Sequence, residues 1–507
     1  MELESLTPRN IIAPPAFQKL ISSPETTVAD ILEQNITFRL FRTGDEYLIS
    51  FFVSHVQELL NLTFFFDSRT QSDLSAKAFA ILEHSQPALT VAMLKDQKLH
   101  KVACDVLSGT EPNTLILSRL SSLTLGALCV DPNSVIKTCG YLFQLISYFF
   151  EPSVLALFET MSINDPEFAS LQKWLIKVGF ADLIQREIDS FSPYTKTPSQ
   201  LNYLSHEALN LCGYLKIVSL CASSDKLSPY FTTQSLVSAL NHDIGALPQF
   251  IEDARWEALS AVYCKRTLES MRGLFQSAVE LISPSSDDTF ELFSQISPKS
   301  DTSEKTNVSE NSNTTENSNI TENSKVSENP KTSQTQDIKY SKRGTRAVSA
   351  AAQILAGMIQ LDPVLRPFIV MEKVPLIAAQ LMFELPDNTF LHKSLRTLIL
   401  ASLEQPDTRS SFYGALPFLL TGFETKNPNL LASLLLIIGE AAGLGNRDSK
   451  VANILKDIPG FIQCVRTKLA YHNALLAASY GGMTPIGSTP IESASVIAEN
   501  AMHIRAW

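Results

Sequence analysis

Across most of the chain apolar residues return at steps of three and four, and short breaks carrying Pro, Gly, Asp or Asn separate the runs. The pattern is clearest between Val374 and Leu403. Leu376, Ile377, Leu381 and Phe383 mark the apolar side of one predicted helix, Pro386-Asp387-Asn388 breaks it, and Leu391, Leu395, Leu398, Ile399 and Leu403 share one face of the next. Asn388 can cap that second helix. His392, Lys393 and Arg396 fall outside the apolar stripe. Neither helix can bury its stripe alone, so such pairs must stack on like pairs.

The same reading extends along the chain. A helix is expected from Thr27, which can cap it with Asp30 three residues on, and a longer one over Asp45–Phe66. Glu111-Pro112, Asp131-Pro132 and Asp165-Pro166 each place an acidic cap before a proline suited to the first helical turn. Further helices are predicted over Leu115–Val130, Val135–Phe150, Val154–Met161, Phe168–Val178, Ala181–Ile188, Leu201–Leu220, Thr232–Leu240 and Ala254–Ile282. Gly179 suits a helix C-terminus. Past residue 340 they resume near Arg343 and end with Ile462–Ala477. No segment alternates long enough to argue a strand. The spacing of helix pairs, about forty residues, is that of armadillo and HEAT repeats, so the expected fold is an all-α helical-repeat solenoid with one long disordered insertion.

The expected organisation is a loose lead-in over 1–15, a helical block over 16–282, a low-complexity linker over 283–340, a second helical block of the same solenoid over 341–478 and a flexible tail over 479–507. The linker carries a six-residue echo, Thr315-Glu-Asn-Ser-Asn-Ile, Thr321-Glu-Asn-Ser-Lys-Val, Ser327-Glu-Asn-Pro, with almost nothing able to offset the entropy of ordering. Ser283-Pro284, Ser297-Pro298, Thr484-Pro485 and Thr489-Pro490 have the form of kinase sites, though turn chemistry alone accounts for them.

Composition narrows the function. A formal net charge of -11 over 507 residues disfavours general affinity for nucleic acid or anionic membranes, and the basic run Lys342-Arg343-Gly344-Thr345-Arg346 reads as a solvated junction. The N-terminal MELESLTPRN is acidic where a signal peptide would be basic. The cleanest apolar run, Leu430 to Gly439, is well short of the ~20 residues that span a bilayer. The seven cysteines are scattered singly, without a C-x-x-C pair. Together these predict an intracellular protein, cytoplasmic with the nucleus as a further compartment, with reduced core thiols, no membrane insertion and no nucleic-acid partner.

No catalytic constellation stands out. The sequence lacks a G-x-S-x-G elbow, a Walker loop and an H-x-x-x-H pair, and Gly439-Glu-Ala-Ala-Gly443-Leu-Gly445 follows a helix with the wrong spacing for a dinucleotide loop. We expect no enzyme activity, no catalytic residue, no cofactor and no metal in this chain. The candidate partner-binding residues are His392 and Arg396, four apart on one helix, which together could grip a carboxylate or phosphate. Against this stands the plainer reading of solvated helix positions.

Several strings, in order, resemble the SAPS-domain family, regulatory subunits of protein phosphatase 6, a type 2A-like serine/threonine phosphatase. Thr27-Val28-Ala29-Asp30-Ile31-Leu32-Glu33 is similar to the family's T-L-x-E-L-L-D-E, and Leu48-Ile49-Ser50-Phe51-Phe52 to its L-I-E-F-L. Leu171-Gln-Lys-Trp174-Leu175 followed by Gly179-Phe-Ala-Asp-Leu-Ile184 resembles a tryptophan-leucine step into an I-x-x-L-V helix. Gly344-Thr345-Arg346 resembles the opening of T-R-L-x-V-I-x-L-I, and Asn388-Thr389-Phe390-Leu391-His392 resembles N-N-F-L-H. The family's aromatic N-terminal segment and late glycine-rich stretch are missing. The resemblance implies a helical-repeat scaffold that binds the phosphatase catalytic subunit, directs it to substrates and leaves the catalytic metals to that partner, with room for a third, scaffold subunit. The competing expectation is an armadillo-type adaptor in transport or trafficking with no phosphatase partner.

Overall fold

The computed structural model describes residues 13–66, 71–84, 86–109, 113–191, 205–241, 248–283 and 345–477, and all regular structure among them is helical. The predicted linker, the tail from 479 and the Glu111-Pro112 helix start lie outside the described residues. The first described helix begins at Pro15, at the end of the expected lead-in.

The helices form two rows. The inner row, numbered here α1 to α7, comprises Thr114–Val130, Pro152–Ser162, His206–Ala222, Gln249–Val262, Arg346–Leu361, Thr389–Glu404 and Pro428–Arg447, each packed on the next. Outer helices Phe180–Ser190, Gln234–Asn241, Phe275–Ile282, Val374–Glu384 and Arg409–Thr421 lie against them. The chain is an all-α, armadillo/HEAT-like helical-repeat protein. Its unit is a short helix, a tight corner, an outer helix and an inner helix.

The corner has its own chemistry. Every described residue in the left-handed region, Gly44, Asp96, Gln97, Gly179, Lys373 and Gly460, sits where a short helix turns into the next. Glycine reaches that conformation without strain, which explains Gly179 and Gly460; Lys373 adopts it at a cost. After three of these corners comes a buried apolar residue, with another four positions on: Phe180 with Ile184, Val374 with Ala378 and Phe461 with Val465. Tyr141 and Leu145 repeat the spacing after Gly140, which is not in the left-handed region. One turn apart on the same helix face, each pair plugs its unit into the core.

Local signals placed most helix starts. Thr27 and Asp30 form the expected capping box, Asp131 accepts the Ser134 N–H at 3.0 Å, and Asn388 accepts the Leu391 N–H at 3.1 Å. Three predicted long helices are broken. Val135–Phe150 divides at Cys139-Gly140-Tyr141 into Pro132–Thr138 and Leu142–Leu145, with a short 3-10 turn after it. Asp45–Phe66 divides at His55 into Glu46–Ser54 and Val56–Phe64, and Ala254–Ile282 divides into α4 and Phe275–Ile282 across the corner beginning at Tyr263. The last helix likewise contains a π-turn over Val465–Leu469.

The core is continuous. Phe149, Phe158, Phe180 and Phe231 contact one another in turn, with ring centroids 5.1, 5.7 and 6.0 Å apart, and so tie successive units together. In α5, Ala347, Ala350, Ala351, Ala352 and Ala356 are all buried, because small residues let a helix approach neighbours on both sides. The helices before and after residues 284–344 are directly packed. The Ala347 N–H donates to Asp253 Oδ1 at 2.9 Å and the Ser260 hydroxyl to Gln353 Oε1 at 3.1 Å. Arg272 grips the fully buried Asp362 with two bonds, Nε to Oδ2 at 2.6 Å and Nη2 to Oδ1 at 3.2 Å.

Among the described residues one helix, α7, is long and apolar enough to cross a membrane by length and composition. Half of its apolar window is buried against the rest of the protein, as suits a repeat helix with neighbours on several sides.

Gly357 in α5 shows how closely the rows approach. A Cβ there would stand 2.6 Å from Tyr263 Cε1 and 2.7 Å from Cδ1, atoms in the body of a ring. Alanine would gain ~1 kcal/mol of helix propensity but cost up to about 3 kcal/mol in overpacking. We expect Gly357→Ala to destabilise the protein by about 1–2 kcal/mol net, measured as a lower urea midpoint. An unchanged or higher midpoint would show that the Tyr263 ring yields freely.

Candidate functional site

The inner row carries a groove of about 760 Å³ crossing four helices, from Ser219 and Ser223 on and just after α3, past Glu257 and Ser260 on α4 and Gln353 on α5, to Phe390 on α6. The packing of successive inner helices creates it: each contributes a few side chains, so the lining comes from residues far apart in sequence.

Its floor is a hydrogen-bonded run. Gln353 Nε2 donates to Ser394 Oγ at 3.1 Å, and the Ser349 and Ser394 hydroxyls lie 2.6 Å apart. Together with the Ser260 bond to Gln353, the run links α4, α5 and α6. Arg346 Nη1 lies 3.7 Å from Glu257 Oε1, and Arg346 remains largely exposed. Burial pushes the Glu257 carboxyl above its ordinary range; Arg346 and Lys216 oppose that shift and Asp253 adds to it. On α3, burial likewise raises the Cys212 thiol. Hydroxyls, an amide and one ion pair can hydrogen-bond a polar chain laid across the row, and Phe390, 86% exposed at the rim, offers an aromatic face.

His392 corrects the sequence expectation. It is buried, at 1% exposure, inside the stack instead of on a free polar face. Its Nε2 donates to Leu385 O at 2.9 Å and lies 3.2 Å from Met382 O, while its Nδ1 is 3.4 Å from the Ser433 hydroxyl. Burial lowers its pKa, opposed by hydrogen bonds to those carbonyls. Its job is to satisfy the carbonyls that end Val374–Glu384 and join them to α7. Arg396, four residues on, is half-buried on α6. The two therefore do not form an exposed clamp.

The string Asn388–His392 resolves residue by residue: Asn388 caps α6, Leu391 and His392 are core, and Thr389 and Phe390 are exposed, Phe390 being its large apolar side chain in solvent. Sequence reasoning passed over Phe390 and the groove. The signal for Phe390 was an aromatic residue in the first turn of a helix, off its apolar stripe.

Among the described residues no cluster of three or more His, Cys, Asp or Glu side chains is placed to hold a metal ion. The seven cysteines are free thiols: Cys139, Cys221 and Cys464 are buried, Cys104, Cys212 and Cys264 half-buried, and Cys129 exposed.

Fold and groove define the class, an armadillo/HEAT-like repeat protein with a polar cleft along its inner row. No family model and no curated protein matches the chain. Among solved structures, the chain is similar to an engineered protein solved by the Northeast Structural Genomics Consortium, at 12% identity and a TM-score of 0.44 over 97% of this chain and 98% of that one. A likeness that loose carries no argument about function.

Proposed function

We propose that the chain is a non-catalytic regulatory scaffold that binds a type 2A-like serine/threonine phosphatase catalytic subunit of the protein phosphatase 6 class and directs it to substrates. The observation that supports this most is Phe390. Within the string that best resembles the SAPS-domain family, Asn388, Leu391 and His392 are accounted for by capping and packing, while this large aromatic side chain stands exposed at the rim of the groove. An exposed aromatic beside a hydrogen-bonding cleft is the composition of an interface hot spot. In this reading the stacked helices hold the surface rigid, and the catalytic metals and nucleophile belong to the partner.

The test is a pull-down of the intact chain from its own cells, with co-purifying subunits quantified. A type 2A-like catalytic subunit at near one-to-one stoichiometry is the expected result. Its absence, with cargo or coat proteins in its place, would replace the proposal with the transport adaptor.

A further inference from the structure

The short helix Arg366–Met371 packs against α5, Val374–Glu384, Arg409–Thr421 and the turn Pro406–Thr408, and sends Ile369 fully into the core. Its remaining side is apolar, and nothing among the described residues covers it. Phe368 is 45% and Met371 64% exposed, three positions apart and therefore neighbours on the helix surface. Val364, in the turn just before, is 56% exposed, and Pro363 and Pro367 are exposed as well. Single apolar side chains on a surface are ordinary; a cluster of this kind on one short turn of chain marks a face that something covers.

The chain itself leads from this face to an occupant. Phe275 opens the outer helix Phe275–Ile282, and its ring centroid lies 6.3 Å from that of Phe368. That helix is ~12 Å long, and the described chain stops one residue beyond it, at Ser283. The segment that comes next, Asp287-Asp-Thr-Phe290-Glu-Leu292-Phe293-Ser-Gln-Ile296, holds two of the three aromatic residues between 284 and 344; the third, Tyr340, lies at the far end. At helical spacing Phe290, Leu292, Phe293 and Ile296 share one half of the circumference, and the acidic and other polar residues take the opposite half. Ser286 suits the cap, Asp287 and Asp288 the first turn, and Ser297-Pro298 the stop. From Ser283 to Phe290 the chain can span ~24 Å, twice the length of the helix it must run back along.

We propose that residues 287–296 dock on this face as an amphipathic helix, with Phe290, Phe293 and Ile296 covering Val364, Phe368 and Met371. So short a helix is not stable alone in water, so the segment orders as it docks, and burial of its apolar half offsets the entropy lost. The remainder of the linker is too poor in apolar residues to hold the surface in this way. The inference does not rest on the partner proposed for the groove.

The experiment is hydroxyl-radical footprinting of the intact chain, which reads side-chain exposure residue by residue, on the wild type and on Phe290→Ser/Phe293→Ser. Phe368 and Met371 should label about tenfold more slowly in the wild type, the ratio for a face left open about a tenth of the time. Tyr471, exposed on the last helix, should label equally in both and so control for the fold. Reciprocally, Met371→Asp should speed amide exchange over 287–296 about tenfold while leaving the urea midpoint unchanged. Equal labelling of Met371 in wild type and double variant would overturn the proposal. Protection that survives in the double variant and grows with protein concentration would overturn it in favour of a second copy of the chain.

Discussion

Phe390→Ala is expected to weaken binding of the proposed partner, a type 2A-like phosphatase catalytic subunit, by about thirtyfold, equivalent to about 2 kcal/mol, the scale of an aromatic hot spot. The unfolding midpoint should be unchanged. The side chain is 86% exposed, so its removal exposes almost no new apolar surface and leaves no cavity. Titration calorimetry with the purified subunit measures the first quantity and urea denaturation the second. Full affinity in the variant would move the interface elsewhere on the protein, whereas a lowered midpoint would make Phe390 a packing residue. A charge reversal at Arg396, half-buried on the same helix, makes a useful comparison; on the present reading it weakens binding less than the loss of Phe390.

His392→Ala should have the opposite profile, a large loss of stability. The substitution removes a buried ring and takes the imidazole donor from the Met382 and Leu385 carbonyls, of which Leu385 keeps the Asn388 N–H at 3.1 Å. Cavity and unsatisfied-carbonyl costs together come to about 2–4 kcal/mol. The same residue sets a pH dependence. Its folded-state pKa lies below the ordinary 6.5, so as pH falls through that value the unfolded chain takes up a proton first. Stability from this group is therefore fully present above about pH 7 and is lost progressively as pH drops below about 6.5 toward the folded pKa. Urea midpoints at pH 7.5 and 5.5 for the wild type and His392→Gln, which cannot titrate, would isolate this contribution. An identical pH slope in both proteins would show that His392 is not the group responsible.

The contrast between these neighbours shows how far the sequence could be read. Leu391, Leu395, Leu398, Ile399 and Leu403 were identifiable from their spacing, and all are at most 2% exposed. Spacing gives one buried face, but α6 contacts α5, α7 and two outer helices, so most of its circumference is covered. His392 was misplaced because a helix with several neighbours has little polar face left to show. The preceding helix was misread for a related reason. Ala378, Ala379 and Met382 face inward along with Leu381, while Leu376 and Ile377 are only half-buried, since close packing favours small residues over the largest apolar ones.

The repeat unit itself was more legible than we expected. Val178-Gly179-Phe180 and Pro459-Gly460-Phe461 are versions of one corner, and an aromatic after a glycine is a pattern that could have been searched for directly. The groove was not legible in that way. Ser219, Glu257, Gln353 and Phe390 belong to four helices, and only the stacking register brings them together.

The contact between α4 and α5 bears on how this protein can vary. Packing on both sides, the Arg272–Asp362 clamp and the cap from Asp253 close the stack without help from whatever joins position 283 to position 345. Lengthening such a connection twofold costs only ~0.6 kcal/mol of closure entropy, little against an interface of this size. Residues could be gained, lost or exchanged wholesale at that seam between descendants of the gene, while the architecture on either side stayed fixed.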